Sequence, residues 1–113
     1  MLKDDCIFCK IIKGEIPSAK VYEDEKMLVF KDIEPKAKVH LLAIGKEHFK
    51  LLSEMDAEKA ELVKYMLTKI PAIAAANGCE NGYRLVINQG DDAGQTVFHL
   101  HIHILGGQPL GDL

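Results

Sequence analysis

Apolar positions recur along this chain with two different periods, and the changes of period mark out its elements. Ile7 and Ile11, with Phe8 and Ile12 beside them, repeat at helical spacing and predict a short helix over Asp5–Lys13. Asp4 or Asp5 can cap its start, and Gly14 and Pro17 stop it. Lys20–Glu23 and Met27–Lys31 read as short strands joined through Asp24-Glu25-Lys26 as a hairpin. Pro35 breaks the chain, and Val39–Ile44 is a third strand carrying His40. Leu62, Val63, Met66, Leu67, Ile70, Ile73 and Ala74 then recur at helical spacing, after a helix start at Ser53-Glu54-Met55-Asp56 and before a stop at Asn77-Gly78. Pro71 lies inside that pattern and is expected to kink or divide the helix, because its ring removes a backbone donor. Tyr83–Asn88 is a fourth strand, Gln89–Thr96 a loop rich in Gly and Asp, and His99–Leu105 a last strand. No repeated helical crossovers join the strands. The predicted class is α+β, with an antiparallel sheet of about five strands, one long helix and one short one.

Size and charge narrow the functional classes. The 113 residues make one domain, residues 1–113, with 48% apolar and 27% charged side chains, as in an ordinary globular protein. A net charge of −3 without a basic run gives no support to a nucleic-acid or membrane-surface partner. No apolar stretch approaches the length of a membrane span. Met1-Leu2-Lys3-Asp4-Asp5 turns acidic where an export signal turns apolar, and the three cysteines cannot all pair, so the expected compartment is a reducing cytoplasm.

The alternation His99-Leu100-His101-Ile102-His103-Ile104-Leu105 carries the strongest chemical signal. A strand places the three imidazoles on one face, about 6.6 Å apart, a spacing that can bracket a phosphate or a metal ion. Imidazole titrates nearest neutrality, so such a row serves nucleophilic attack, proton transfer and charge stabilisation. The plainer alternative is a polar strand face open to solvent. His40, from spacing alone, reads equally as a strand histidine bonded to backbone. The loop Asp91-Asp92-Ala93-Gly94-Gln95-Thr96 offers glycine for close backbone approach to a phosphate, and a hydroxyl, although Asp/Gly loops are common. Asp32 reads alone as a turn residue. Cys6-x-x-Cys9 is half of a zinc site or plain helix packing; a redox pair of the thioredoxin type would follow a strand, and only five residues precede this one. Cys79 reads as a small thiol without a partner.

The run from Gly94 to Gly107, Gly-Gln-Thr-Val-Phe-His-Leu-His-Ile-His-Ile-Leu-Gly-Gly, resembles the signature of the histidine triad (HIT) nucleotide hydrolases and transferases. The resemblance covers nearly the whole chain: Cys6–Ile12, Phe30–Ile33, Val39-His40, Lys46-Glu47-His48 and Val86-Ile87-Asn88 follow in the order that family uses. The third histidine and the Gly-Gly after it look like the Hint branch, the purine nucleoside phosphoramidase type. The fragile-histidine branch differs around the triad, and the hexose-phosphate uridylyltransferase relatives carry Gln for the third histidine.

The resemblance implies a HIT-like fold and a nucleoside monophosphate linked covalently to His101, later released by water. It places His103, His40 and Thr96 beside the α-phosphate, with Asn88, Gly94 and Thr96 holding phosphate oxygens and Gln95 in the same run. It puts Asp32 on the ribose diol, with Ile33 next to it, and makes Ile7, Phe8, Ile11 and Phe30 a slot for a purine. Certain relatives complete the Cys-x-x-Cys with two histidines, which correspond here to His48 and His99, so a structural zinc on Cys6, Cys9, His48 and His99 is expected. No organic cofactor is expected. A homodimer and a purine nucleotide ligand are implied, with cleavage of nucleoside phosphoramidates or related nucleoside monophosphate conjugates. The alternatives are a dinucleoside polyphosphate hydrolase and a purine-nucleotide-binding sensor or scaffold without turnover.

Overall fold

The computed structural model describes Met1 to Leu113. Its elements are α1 (Ile7–Ile12), β1 (Lys20–Glu23), β2 (Met27–Lys31), β3 (Val39–Gly45), α2 (Ala57–Ala76), β4 (Tyr83–Val86) and β5 (His101–Gly106). The five strands form one sheet in the order β1-β2-β3-β5-β4, and every neighbouring pair is antiparallel. This is the α+β architecture the periodicity predicts.

Register decides which residues share a face. Val29 opposes Ala43, which opposes Ile102, and these point to one side together with Met27, Leu41 and Ile104. The apolar stripe of α2 (Met66, Ile70, Ile73 and Ala74) closes over them. Ile102 and Ile104 are fully buried there, each worth roughly 1.5–3 kcal/mol of apolar transfer. Gly45 allows the approach: a Cβ there would stand 2.6 Å from Leu62 Cδ2 of α2. Asp24 ties the same layer to the β1–β2 hairpin, accepting from the N–H groups of Lys26 and Met27 and from the hydroxyls of Tyr22 and Tyr65. On the opposite face Leu28, Phe30, Leu42 and Ile44 meet Phe8, Cys9 and Ile11 from α1. His101 opposes Ile44 and His103 opposes Leu42 on that face. The short helix and the histidines therefore share one side of the sheet.

Several boundaries differ from the predicted ones, each for a local reason. The short helix starts at Ile7, and its N-cap is Cys6, whose Sγ accepts the Cys9 N–H at 3.4 Å; neither Asp4 nor Asp5 caps it. Asp4 pairs instead with Lys13 at 2.9 Å. The long helix starts after Asp56, which accepts from the Lys59 N–H, and runs through Pro71 without dividing. Pro71 and Leu67, four residues before it, are both exposed, so the carbonyl that the proline leaves unpaired lies on the solvent side. The fourth strand stops at Val86, not Asn88, where the chain turns into the loop holding a 3-10 turn at Asp91–Ala93. The last strand starts at His101, not His99. The Leu100 N–H donates to the Phe49 carbonyl at 2.7 Å, outside the sheet, and His99 lies in a bend. No helix is long and apolar enough to cross a membrane.

Candidate active site and metal centre

Between α1, the end of β2 and the face of β5 lies a cavity of about 420 Å³. Ile7, Phe8 and Ile11 come to it from α1, Phe30 from β2, and Asp32 and Ile33 from the turn that follows. Thr96, His101 and His103 complete its polar end. Nine residues selected from sequence thus meet in one place. Ile33 stands 94% exposed at the rim, available to cover a planar ligand.

His101 has its roles set by backbone. Its Nδ1 lies 2.7 Å from the His99 carbonyl, an acceptor, so Nδ1 carries the proton and Nε2 keeps the lone pair. The Phe8 ring stands edge-on at 5.1 Å between centroids, and burial holds the imidazole below its usual range and neutral. His103 is pushed down to about 4 by burial, with His101 and His40 adding to the shift. His40 does not line the cavity; it reaches it through His103, Nε2 to Nδ1 at 2.9 Å. Asp32 makes the turn that its sequence position suggests and also meets His40, a contact the sequence did not indicate. Its Oδ1 accepts the Glu34 N–H at 2.8 Å, making the turn, and its Oδ2 lies 3.4 Å from His40 Nε2.

The loop residues divide. Thr96 reaches the cavity; Asn88, Gly94 and Gln95 do not line it. Gln95 is buried and braces the loop, accepting from the Gly90 N–H at 2.8 Å and donating to the Lys50 carbonyl at 3.1 Å. Gly94 has φ +76° with open space around its Cβ position, so glycine serves backbone conformation there. Its N–H donates to the Asp91 carbonyl.

Cys6, Cys9, His48 and His99 bring one ligand atom each within 4.8 Å of one another. His99 Nδ1 lies 3.5 Å from both Sγ atoms, and His48 Nδ1 lies 3.4 Å from Cys9 Sγ. Tetrahedral zinc, with Zn–S about 2.3 Å and Zn–N about 2.0–2.1 Å, separates neighbouring S and N ligands by about 3.5 Å, so the spacing fits. His99 Nε2 donates to the Gly45 carbonyl at 3.0 Å, which leaves Nδ1 as the free donor atom and holds the ring in place. The Cys9 N–H donates to Cys6 Sγ at 3.4 Å. Burial pushes the Cys9 thiol up, so a metal bound there must displace protons.

Burial also pushes His99 down to about 4. The unfolded chain therefore takes up protons first as the pH falls. The stabilisation held by His99 and His103 is complete above about pH 6.5 and is lost as the pH falls toward their folded values. Thermal melts of the metal-free protein should show a falling Tm between pH 7 and pH 5. A flat profile would mean that these rings titrate normally.

The cavity also takes Ile16, Pro17 and Ser18 from the segment after α1, and Val97, none of which the sequence analysis selected. Nothing in their types marks them, since only the path of the chain brings them there. Ser18 Oγ is buried without a hydrogen-bond partner.

Comparison with known proteins places these features among relatives. The profile described as "Scavenger mRNA decapping enzyme C-term binding" matches residues 5–110. Protein HitA of Neisseria gonorrhoeae is 52% identical over 103 residues, covering 91% of this chain and 96% of its own. A 14 kDa zinc-binding protein of Zea mays is 46% identical over 106 residues, covering 92% of this chain and 83% of its own. A solved structure of a HIT family hydrolase from Clostridium thermocellum superposes with a TM-score of 0.93 at 46% identity, over 98% of this chain and 97% of that one.

Proposed function

Because this chain belongs to the histidine triad family, we propose that it is a hydrolase of purine nucleotide conjugates, cleaving nucleoside phosphoramidates or related nucleoside monophosphate conjugates through His101. The observation that carries this reading is the His101 tautomer: Nδ1–H held by the His99 carbonyl at 2.7 Å, with Nε2 left as a neutral lone pair on a residue that lines the cavity.

Phe8, Ile11 and Phe30 hold the base and Asp32 accepts from the ribose hydroxyls. The His101 Nε2 lone pair then forms a bond to the α-phosphorus as the bond to the leaving group breaks. The electron pair goes to the leaving atom, which takes up a proton from water. His103 and Thr96, which line the same cavity as His101, would face the phosphate oxygens as charge grows on them. Water then attacks the phosphorus, its proton passing to the hydroxide left by the first step, and the P–N bond to His101 breaks to release the monophosphate and return the lone pair to Nε2. Zinc on Cys6, Cys9, His48 and His99 would supply no step; it would hold α1 and the start of β5 in place. A homodimer joined along β4 and α2 would cover Tyr83 and Leu85, about a third exposed at the sheet edge, and the exposed Leu67 of α2. Cys6, Cys9 and Cys79 form no disulfide, which suits a reducing cytoplasm.

The test compares turnover of adenosine 5′-phosphoramidate with that of a diadenosine polyphosphate, and looks by mass spectrometry for a nucleotide on the His101 peptide after acid-free quenching. Faster phosphoramidate turnover with the adduct on His101 is expected. Preference for the polyphosphate would reassign the substrate, and binding without turnover or adduct would leave a sensor.

Asp32→Ala should weaken ribonucleotide binding by about 1–3 kcal/mol, since a part-buried acceptor for the sugar hydroxyls is lost. The same residue makes the turn through Glu34, so the control is a dideoxynucleotide measured by calorimetry. An equal loss for both ligands would assign Asp32 to the fold alone.

A further inference from the structure

Between β2 and β3 the chain turns so that the backbone N–H of Lys36 meets a ring nitrogen, His40 Nδ1, at 3.0 Å. An amide N–H can only donate, so the contact requires a lone pair on Nδ1. Neutral His40 then carries its proton on Nε2. That nitrogen stands 2.9 Å from His103 Nδ1, with Asp32 Oδ2 farther off at 3.4 Å, so with the proton assigned the direction follows: His40 donates and His103, the nearer acceptor, accepts. His103 must in turn carry its proton on Nε2. Nε2 is the ring nitrogen not engaged with His40, on a residue that lines the cavity shared with His101.

We propose that the backbone amide of Lys36 is a positioning group for the reaction: it sets the tautomer of His40 and, through His40, that of His103, so that the pair offers one N–H to the phosphate and remains uncharged. The consequence for turnover rests on the hydrolase reading above, whereas the tautomers belong to the resting protein. A second proton on His40 Nδ1 would face the Lys36 N–H, and one on His103 Nδ1 would face His40 Nε2–H. Either imidazolium breaks a bond of the chain, and His40 is only 6% exposed, with little water to replace it. Burial, together with the Lys36 ammonium, outweighs the Asp32 carboxylate, which favours a charge on His40. His103 therefore acts as a hydrogen-bond donor and not as an acid. Giving up its Nε2 proton would call for a replacement from His40, which cannot draw one from an amide.

The same contact bears on metal binding. Asp32, His40 and His103 bring ligand atoms within 4.8 Å of one another. Ligation through His40 Nε2 would move its proton to Nδ1, against the Lys36 N–H. The amide thus keeps divalent metal out of the phosphate site, in contrast to His99, whose bond to the Gly45 carbonyl leaves a nitrogen free.

Long-range proton–nitrogen NMR of the labelled full chain at neutral pH should show His40 and His103 as Nε2–H tautomers. Lys36→Pro removes the N–H, and replacing the Pro35–Lys36 peptide bond by an ester removes it while keeping every side chain, should a second proline distort the turn. In the ester protein His40 should become a mixture of tautomers, with kcat down about tenfold and nucleotide KM within about twofold. His103→Gln, which keeps an N–H near the Nε2 position, should retain about ten times more kcat than His103→Ala. A wild-type His40 found as the Nδ1–H tautomer or as imidazolium would overturn the proposal. So would an ester protein with unchanged tautomers, or His40 and His103 resonances that move when zinc is added beyond one equivalent. Wild-type protein with the expected tautomers but no turnover of any nucleotide conjugate would overturn the hydrolase reading alone.

Discussion

His101→Ala or His101→Gly should reduce phosphoramidate turnover to below a thousandth of wild type while mononucleotide affinity stays within about tenfold, because the attacking nitrogen acts in the transition state far more than in ground-state binding. The surroundings of His101 support that split. In the proposed reading the base and sugar are held by α1 and the Phe30–Ile33 segment, which line the cavity beside the imidazole. Shortening the side chain also leaves the His99 carbonyl without its donor, and His99 belongs to the Cys/His cluster of the candidate metal centre. Folding of the variant should therefore be checked by its melting curve before its kinetics are read. Single-turnover quench experiments are the measurement. Residual turnover above a thousandth in a folded variant would point to a different nucleophile.

Removing zinc should lower Tm by about 10–20 °C. An ion present at a hundred times its dissociation constant adds about 2.7 kcal/mol to stability, and a domain of this size shifts by about 4–8 °C per kcal/mol. The effect is large because the four ligands join distant parts of the chain: Cys6 and His99 are 93 positions apart, and Cys9 and His48 are 39. Closing those loops constrains the unfolded chain that retains the metal less than it fixes the folded one, where all four atoms already converge. Metal analysis of protein purified without a histidine tag should find close to one zinc per chain. Cys9→Ser should lower Tm in the same way while part of the His101 reactivity survives, since no step passes through the metal. A metal-free protein whose melting ignores chelators would return Cys6 and Cys9 to ordinary helix packing.

Local pattern carried much of the fold. The strands over Lys20–Glu23 and Met27–Lys31 stand where alternation places them, and the hairpin turn follows because Asp24 bonds the two N–H groups that close it. The errors fall where a distant partner overrode a local rule. Cys6 replaced the aspartates as helix cap because its sulfur is drawn to His99 and Cys9. Pro71 leaves the long helix whole because α2 is held along its buried stripe against the sheet, with the unpaired carbonyl on the solvent side.

The same division runs through the site. Alternation alone put His101 and His103 on one face and Ile102 and Ile104 on the other, since side-chain direction in a strand depends only on position parity. The identity of His101, its place between two other imidazoles and the Cys-x-x-Cys spacing were likewise legible without coordinates. The resemblance already assigned His99 to the cysteines. Tertiary structure supplies the physical reason the triad parts: the chain bends at His99, so the first imidazole turns to the cysteines while the other two stay with the cavity. It also decided that Gln95 braces its loop, that Ile16, Pro17 and Ser18 close the pocket, and which ring nitrogen of each histidine holds its proton. Hydrogen-bond direction depends on backbone groups many residues away, and no spacing of side chains along the chain encodes where those groups will lie.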